Sequence, residues 1–307
     1  MIVGVDIGGT KTHIRSRAAS GAQRDLVVPS TDWRNGGLFD DPDNASRLNN
    51  LVHELVSDAE VSDAARLVVG AHGCDTAEAC EAFAADLGSL RAGPVTVVND
   101  AALLVAATGN DAGLAVIAGT GSIVVAVFAG RPPFAIGGFG WLLGDAASAP
   151  GLVRESVKHV LARRDEGLSR EILGERLIAH FGVPDETELI YRLGDAPVIT
   201  DWASAAPLVF GAADAGSALA SGVINAAAAE LATDVERAVA RGADASVVVC
   251  AGGVITHQPR LFRAFCDEVA QRVPQANVQL FDEPPVAGAI ALGLREEASA
   301  PLATDVS

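Results

Sequence analysis

Apolar and polar positions alternate in two short segments that each contain a glycine-rich turn. Ile2 to Val5 is an apolar run that ends at Asp6, and alternation resumes from Thr12 to Arg17. Leu114 to Ala118 and Ile123 to Phe128 repeat this arrangement around a second turn. Because a strand, a tight turn and a second strand make a β-hairpin, the pattern predicts two hairpins of the same design.

Helical and strand-like segments alternate between and after these hairpins. Alternation of this kind predicts a mixed or parallel α/β sheet that is covered on both faces. The tail from Glu297 is predicted to fray. The predicted helices are Ala45 to Ser57, Glu78 to Leu87, stripes beyond Ala147, Ala212 to Val239 and Ala287 to Leu294; the predicted strands are Arg66 to Gly70, Pro94 to Val98, Ser246 to Cys250 and an edge strand at Val278 to Phe281.

The duplicated hairpins predict two similar α/β domains that face each other across a cleft. Gly109, Asn110 and Asp111 are turn-forming residues between the two halves. We therefore expect an N-terminal domain over residues 1–110 and a C-terminal domain with helical additions over residues 111–307. The last helix is expected to pack back on the N-terminal domain.

Composition narrows the class of protein. The 307 residues are 50% hydrophobic but only 5% aromatic, so a core of Ala, Val, Leu and Ile is expected. A net charge of -17 argues against a nucleic-acid or anionic-membrane surface. No segment is apolar for long enough to span a bilayer and a strand begins at once, so we expect a cytoplasmic protein. The four cysteines form no C-x-x-C pair, which indicates neither a zinc site nor a thioredoxin motif.

The first hairpin turn carries the groups of a phosphate-binding loop. Asp6 is a carboxylate at a strand end, where it could hold a hydrated Mg²⁺. Glycines let the backbone approach a ligand, and amides in such a turn surround phosphate oxygens. The alternative is an ordinary Gly-Gly hairpin turn. The candidate donors are Gly8, Gly9, Thr10, Lys11 and Thr12.

The second hairpin turn repeats the same glycine and hydroxyl chemistry. Neither turn has the spacing of a Walker A loop, and no G-x-G-x-x-G follows the first strand, so a P-loop or Rossmann site is disfavoured. Two phosphate loops in one chain are less expected by chance than one. The second loop consists of Gly119, Thr120, Gly121 and Ser122.

Asp100 follows the predicted strand Pro94 to Val98. Ligands of α/β sheets bind outside the carboxyl ends of strands, so this carboxylate is placed to act as the general base that takes a proton from an attacking hydroxyl. The alternative role is an N-cap for the helix that begins at Ala101. The two roles can coexist.

The segment from Gly137 to Asp145 contains four glycines, two aromatic residues and a terminal carboxylate. Such a loop can place an aromatic ring against a sugar while exposed amides and Asp145 bond to hydroxyls. The alternative is a glycine-rich connection with Phe139 and Trp141 simply buried.

These motifs occur in the order DIGGTKT, VNDAA, AGTGS, GGFGWLLGDAAS and AGGV. The order resembles the N-acetylglucosamine kinase branch of the BadF/BadG/BcrA/BcrD ATPase family over nearly the whole chain. The resemblance implies an actin-like, ribonuclease H-like fold, a homodimer, ATP held through Thr10 and Thr120, and adenosine near Gly252 and Gly253. It also implies that Asp100 acts on the 6-hydroxyl of an amino sugar, in a pocket lined by Gly138, Phe139, Gly140 and Asp145.

Two departures from the family pattern leave the sugar open. Asp32 stands where the family usually has Asn, in a segment with Trp33 that is expected to touch the sugar near its amino substituent. A carboxylate there would suit the free ammonium of glucosamine better than the acetamide of N-acetylglucosamine; alternatively, Asp32 only starts a turn. Ala146 stands where Glu usually follows Asp145.

Two alternative functions are also known among proteins of the superfamily that the resemblance implies. A dehydratase-activating ATPase would share an iron-sulfur cluster through cysteines, but Cys74 and Cys80 lie earlier than the expected segment. A nucleotide switch or a sugar-responsive ROK-type regulator would need no kinase chemistry, and the sequence shows no helix-turn-helix, basic face or cysteine-rich zinc motif. The sequence therefore favours an ATP-dependent amino-sugar kinase.

Overall fold

The computed structural model describes residues 1–194 and 198–299. Its strands are β1 Ile2–Ile7, β2 Lys11–Arg17, β3 Gln23–Pro29, β4 Arg66–Ala71, β5 Val95–Asn99, β6 Gly113–Ala118, β7 Ser122–Phe128, β8 Arg131–Gly137, β9 Val248–Ala251 and β10 Val278–Leu280. Its α-helices are α1 Asn44–Val56, α2 Ala59–Ala64, α3 Ala77–Gly88, α4 Asp100–Ala107, α5 Ala149–Asp165, α6 Ile172–Phe181, α7 Glu186–Gly194, α8 Ile199–Ser204, α9 Ala206–Asp214, α10 Ala218–Ala240, α11 Gly253–His257, α12 Pro259–Arg272 and α13 Val286–Ser299.

The strands form two five-stranded sheets with the same internal order. The first sheet has the order β3-β2-β1-β4-β5. The second sheet, read in the matching direction, has the order β8-β7-β6-β9-β10. In the first sheet β1 pairs antiparallel with β2 and parallel with β4. In the second sheet β6 pairs parallel with β9. The prediction of a duplicated α/β arrangement with two hairpins is confirmed.

Each sheet also has a strand next to its hairpin that the sequence pattern did not predict. β3 is mostly exposed along its length, so it lacks a buried apolar face that alternation would reveal. β8 contains Pro132 and Pro133, which cannot donate to a neighbouring strand. Both strands lie at a sheet edge, which is where such sequences are tolerated.

The first sheet is covered on both faces because the side chains of its strands alternate. Val3 and Val5 of β1 belong to a buried cluster with Leu48 of α1 and Phe83 of α3. The opposite face is closed by α4 and α13, which approach closely at Gly288. A Cβ on that glycine would lie 1.9 Å from the carbonyl oxygen of Leu103, so only glycine fits there.

Contacts between Cα atoms divide the chain into two compact units. The first unit consists of Met1–Ala112, Val127–Phe134 and the described residues from Glu283 onward; the second consists of Gly113–Ala126 and the described residues of Ala135–Asp282. Within the first unit, α13 packs on β1 and α4.

The segment from Ala212 to Val239, predicted as helical, spans the end of α9 and most of α10. The two helices are separate because Gly216 has a positive φ of 94° and Ser217 caps α10 by accepting from the amide of Ala220. The predicted frayed tail is helical from Glu297 through Ser299, and its remainder lies outside the described residues.

Within the described ranges no single helix has both the length and the apolar composition of a membrane span. The segments Ile199–Asp214 and Ala218–Ala240 reach that length and composition only together, with a bend of 115° between them.

Candidate functional site

Three titratable side chains lie where the parallel strands of the first sheet end. The register pairs Ile7 of β1 with Ala71 of β4, and Ala71 with Asn99 of β5. The three parallel strands therefore end level with one another. Asp6, His72 and Asp100 stand at or just beyond these ends, as expected for a ligand site of an α/β sheet.

Asp6 is a buried carboxyl group with a strongly altered proton affinity. Its residue is only 8% exposed. Burial, followed by the negative charge of Asp100, raises the pKa of Asp6 to about 7, while Lys11 opposes the shift. Two neighbouring carboxylates with one nearby lysine leave a deficit of positive charge, which a divalent cation would relieve.

Asp100 is the first residue of α4, and the side chain of Asn99 caps the helix. Both Asn99 Oδ1 and Asp100 Oδ1 accept the amide of Ala101, each at 3.0 Å. The predicted capping role of Asp100 is therefore shared with Asn99, which precedes the helix. Burial raises the pKa of Asp100, and the imidazole of His72 opposes this, with Nδ1 3.8 Å from Oδ2.

A buried hydrogen-bond network fixes the first glycine loop. Ser30 donates from its hydroxyl to the carbonyl of Gly8 at 2.9 Å and from its amide to the carbonyl of Thr10 at 3.0 Å. The hydroxyl of Thr12 is fully buried between Ser30 Oγ and the indole N–H of Trp33, at 3.0 and 2.9 Å. Thr12 and Trp33 thus support the loop from its buried side, through Ser30.

The rest of this loop is open to ligands. Gly9, Thr10 and Lys11 are exposed. Asp32 ends a short 3₁₀-helix, Ser30–Asp32, and is also exposed. The side chain of Trp33 is buried in the core cluster of the first unit. Its predicted contact with a sugar stays a prediction.

The second unit brings its glycine motifs together. Ile117 at the end of β6 pairs with Ala251 at the end of β9, which places Gly119 beside Gly252 and Gly253. A Cβ on Gly119 would lie 3.4 Å from the amide nitrogen of Gly253. Gly252 has a φ of 104°, and a Cβ there would lie 2.5 Å from the carbonyl oxygen of Ala118.

Asp145 precedes the N-terminus of α5 and is hydrogen-bonded to its N-cap residue, Ser148. Its φ is positive, 53°, and its carbonyl accepts from the hydroxyl of Ser148 at 2.7 Å. Gly151 is required beneath it, because a Cβ there would lie 2.1 Å from the same carbonyl oxygen. The side chain is buried, and Oδ1 has no hydrogen-bond partner among the described residues.

The loop before Asp145 exposes one of its aromatic rings. Phe139 is 74% exposed, which rules out the alternative that it is simply buried. Trp141 is half-buried, and its ring centroid lies 5.2 Å from that of Trp202. Gly138 and Gly140, on either side of Phe139, are exposed and have positive φ angles, a backbone conformation that favours glycine.

A cavity of about 370 Å³ adjoins this loop within the second unit. Its lining includes Ser122, Phe139, Asp145, Glu230 and Asp234. Burial raises the pKa values of Glu230 and Asp234, although Asp234 pairs with Arg237 at 2.8 Å. The volume lies within the range of small-molecule sites.

The donor sets fit a nucleotide and a magnesium ion. Gly119 and Gly252 allow the two loops to lie against each other, the space beside Gly253 is open, and Thr120 is exposed. Among the described residues no group of three or more His, Cys, Asp and Glu could hold a metal alone. Mg²⁺ requires no such group, because it keeps several waters and binds one carboxylate together with phosphates.

Comparison with known proteins shows the family of the chain. The BadF/BadG/BcrA/BcrD ATPase family matches residues 3–291. The chain belongs to this family. None of the curated proteins gives a significant match.

Solved structures of other members of the fold resemble the chain over nearly its whole length. A candidate N-acetylglucosamine kinase from Chromobacterium violaceum has 22% identity and a TM-score of 0.65, covering 95% of this chain and 98% of its own. One from Porphyromonas gingivalis has 18% identity and a TM-score of 0.68, covering 96% and 100%. A ROK glucokinase from Streptomyces griseus, solved in complex with glucose and AMPPNP, has 17% identity and a TM-score of 0.58. The match covers 96% of this chain and 98% of the glucokinase chain. The family member therefore has the predicted actin-like α/β fold.

Several residues of the site were not predicted. Ser30 supports the first loop, and Asp75 accepts from Asn99 Nδ2 at 2.9 Å beside Asp100. Neither has a local sequence signal, because each acts across the fold. His72 had a signal: it follows the predicted strand Arg66 to Gly70 at its carboxyl end.

Proposed function

We propose that this family member transfers the γ-phosphoryl group of ATP to the 6-hydroxyl of an amino sugar. N-acetylglucosamine is the favoured substrate and glucosamine the alternative. The observation that supports this most is Asp100, a half-buried carboxylate at the strand end with one oxygen anchored by the amide of Ala101 and the other free to accept a proton.

Each motif has a part in the proposed reaction. Asp100 Oδ2 takes the hydroxyl proton, the sugar oxygen forms the new bond to phosphorus, and the bond to the β-phosphate oxygen breaks with its electron pair left on ADP. Thr10, Lys11 and Thr120 are exposed donors for phosphate oxygens. Mg²⁺, held through water by Asp6, would neutralise phosphate charge.

The sugar is proposed to lie against the loop from Gly138 to Asp145. Exposed Phe139 offers a ring face, and the unpartnered Oδ1 of Asp145 can accept a hydroxyl. Phe139 and Asp145 both line the cavity of about 370 Å³, which is large enough for a monosaccharide.

The test measures ADP release with glucose, glucosamine, N-acetylglucosamine and N-acetylmannosamine, and identifies each product by mass. A phosphorylated amino sugar is expected. Replacement Asp100→Asn should lower kcat about a hundredfold or more, because it removes the base. ATP hydrolysis that is independent of every sugar would instead indicate a nucleotide switch, and near-normal turnover of Asp100→Asn would remove the assignment of the base.

A further inference from the structure

An exposed imidazole stands beside the proposed base. His72 follows β4, and its amide donates to the carbonyl of Ile7 at 2.9 Å, which fixes its backbone to the end of β1. Gly73 then turns the chain with a φ of 96°. The side chain of His72 is 66% exposed, and its Nδ1 lies 3.8 Å from Oδ2 of Asp100, whose side chain is 27% exposed.

Two other carboxyl groups of the first unit act on or are acted on by Asp100. Asp6 approaches from β1 and Asp75 from the loop after β4, while the buried Cys74 thiol lies next to Asp75. Lys11 lowers the pKa of Asp6, and His72 lowers the pKa of Asp100, in each case against the effect of burial. His72 is thus the imidazole that directly faces the free oxygen of the base.

The two oxygens of Asp100 have different partners. Oδ1 accepts the amide of Ala101 at 3.0 Å, so it is committed to the start of α4. Oδ2 faces His72. With Oδ1 bonded to the helix amide and the His72 ring 3.8 Å from Oδ2, the carboxylate is restricted on both sides, and a general base needs such a fixed position in order to meet a substrate hydroxyl at hydrogen-bond distance.

We infer that His72 is a positioning residue for the phosphoryl transfer, which holds Oδ2 of Asp100 in place and stabilises its negative charge against Asp6 and Asp75. The inference rests on the proposed function. His72 exchanges no atom with the substrate, so its loss should lower kcat and leave the KM values for sugar and ATP nearly unchanged.

The main test is chemical rescue. His72→Ala should lower kcat about tenfold or more, and added imidazole should restore part of the loss with a saturable concentration dependence, because the exposed side chain leaves an open place beside Asp100. Asp100→Asn should not respond to imidazole. The matched control is His53→Ala, which breaks another His–Asp pair of the same unit, with His53 Nε2 3.3 Å from Asp63 Oδ1, and should behave like the wild type.

The pH profile supplies a second readout. His72 opposes the rise that burial causes in the pKa of Asp100, so the acidic limb of kcat/KM should move to higher pH by about one unit in His72→Ala. His72→Gln keeps a hydrogen-bond donor without charge, so it should retain more kcat than His72→Ala but show the same displaced limb. Melting curves of both variants show whether each is folded.

The outcomes separate this inference from the proposed function. A wild-type protein that phosphorylates no sugar would refute both. If the wild type is active while folded His72→Ala keeps its kcat and pH profile, the role of His72 is wrong and the kinase assignment stands. A loss of kcat without imidazole rescue or a displaced limb would show a merely structural role and would equally overturn the inference.

Discussion

Replacement of Asp6 by asparagine is expected to stabilise the metal-free protein while it removes kinase activity. Asp6 is 8% exposed at the end of β1, and burial together with the charge of Asp100 raises its pKa from 3.8 to about 7. The folded chain therefore binds this proton more tightly than the unfolded chain does. It follows that stability falls as the pH rises from about 4 to about 7 and stays low above that range.

The size of the effect follows from the displacement of the pKa. The difference between 3.8 and about 7 is about 3 pKa units. At about 1.4 kcal/mol for each unit, ionisation of Asp6 costs the fold at most about 4 kcal/mol at pH 8. Asparagine has nearly the same shape and no charge, so a gain of about 1–4 kcal/mol is expected. A domain of this size gains roughly 2–4 °C in melting temperature for each kcal/mol.

The assay is thermal unfolding of both proteins in EDTA between pH 4 and pH 9. The two melting temperatures should coincide near pH 4 and separate as the pH rises. Asp25→Asn is a control of opposite sign, because burial raises the pKa of Asp25 but the hydrogen bonds from Arg15 and His13 lower it overall, so that variant should lose stability at neutral pH. Parallel curves for wild type and Asp6→Asn would refute the reasoning.

Two further variants test the nucleotide and sugar contacts. Gly252→Ala should raise the KM for ATP about tenfold and lower the melting temperature, because φ is 104° and the new Cβ would lie 2.5 Å from Ala118 O; the strain costs about 1–3 kcal/mol. An unchanged KM would exclude Gly252 from the nucleotide site. Asp32→Asn should raise the ratio of kcat/KM for N-acetylglucosamine to that for glucosamine about tenfold, because an exposed carboxylate favours an ammonium group. A constant ratio would remove Asp32 from substrate selection.

The sequence by itself determined the elements whose signals are local. The hairpins follow from alternation over a few residues and a glycine turn; β6 ends where its apolar run ends, and β1 extends two residues beyond its run, to Ile7. Asp6 and Asp100 could be singled out because ligands of α/β sheets bind at the carboxyl ends of strands, where both carboxylates stand. The exposure of Phe139 was one of two alternatives, since a glycine-rich segment allows a ring to be buried or exposed.

The tertiary structure decided what depends on partners distant in the chain. Edge strands β3 and β8 are stabilised by their neighbours rather than by their own pattern, so neither could be predicted from local alternation. Ser30 reaches Gly8 across 22 positions, and His72 meets Asp100 only because β1, β4 and β5 end in register. The raised pKa of Asp6 likewise has no signal in the sequence, because burial and the charge of Asp100 act through space.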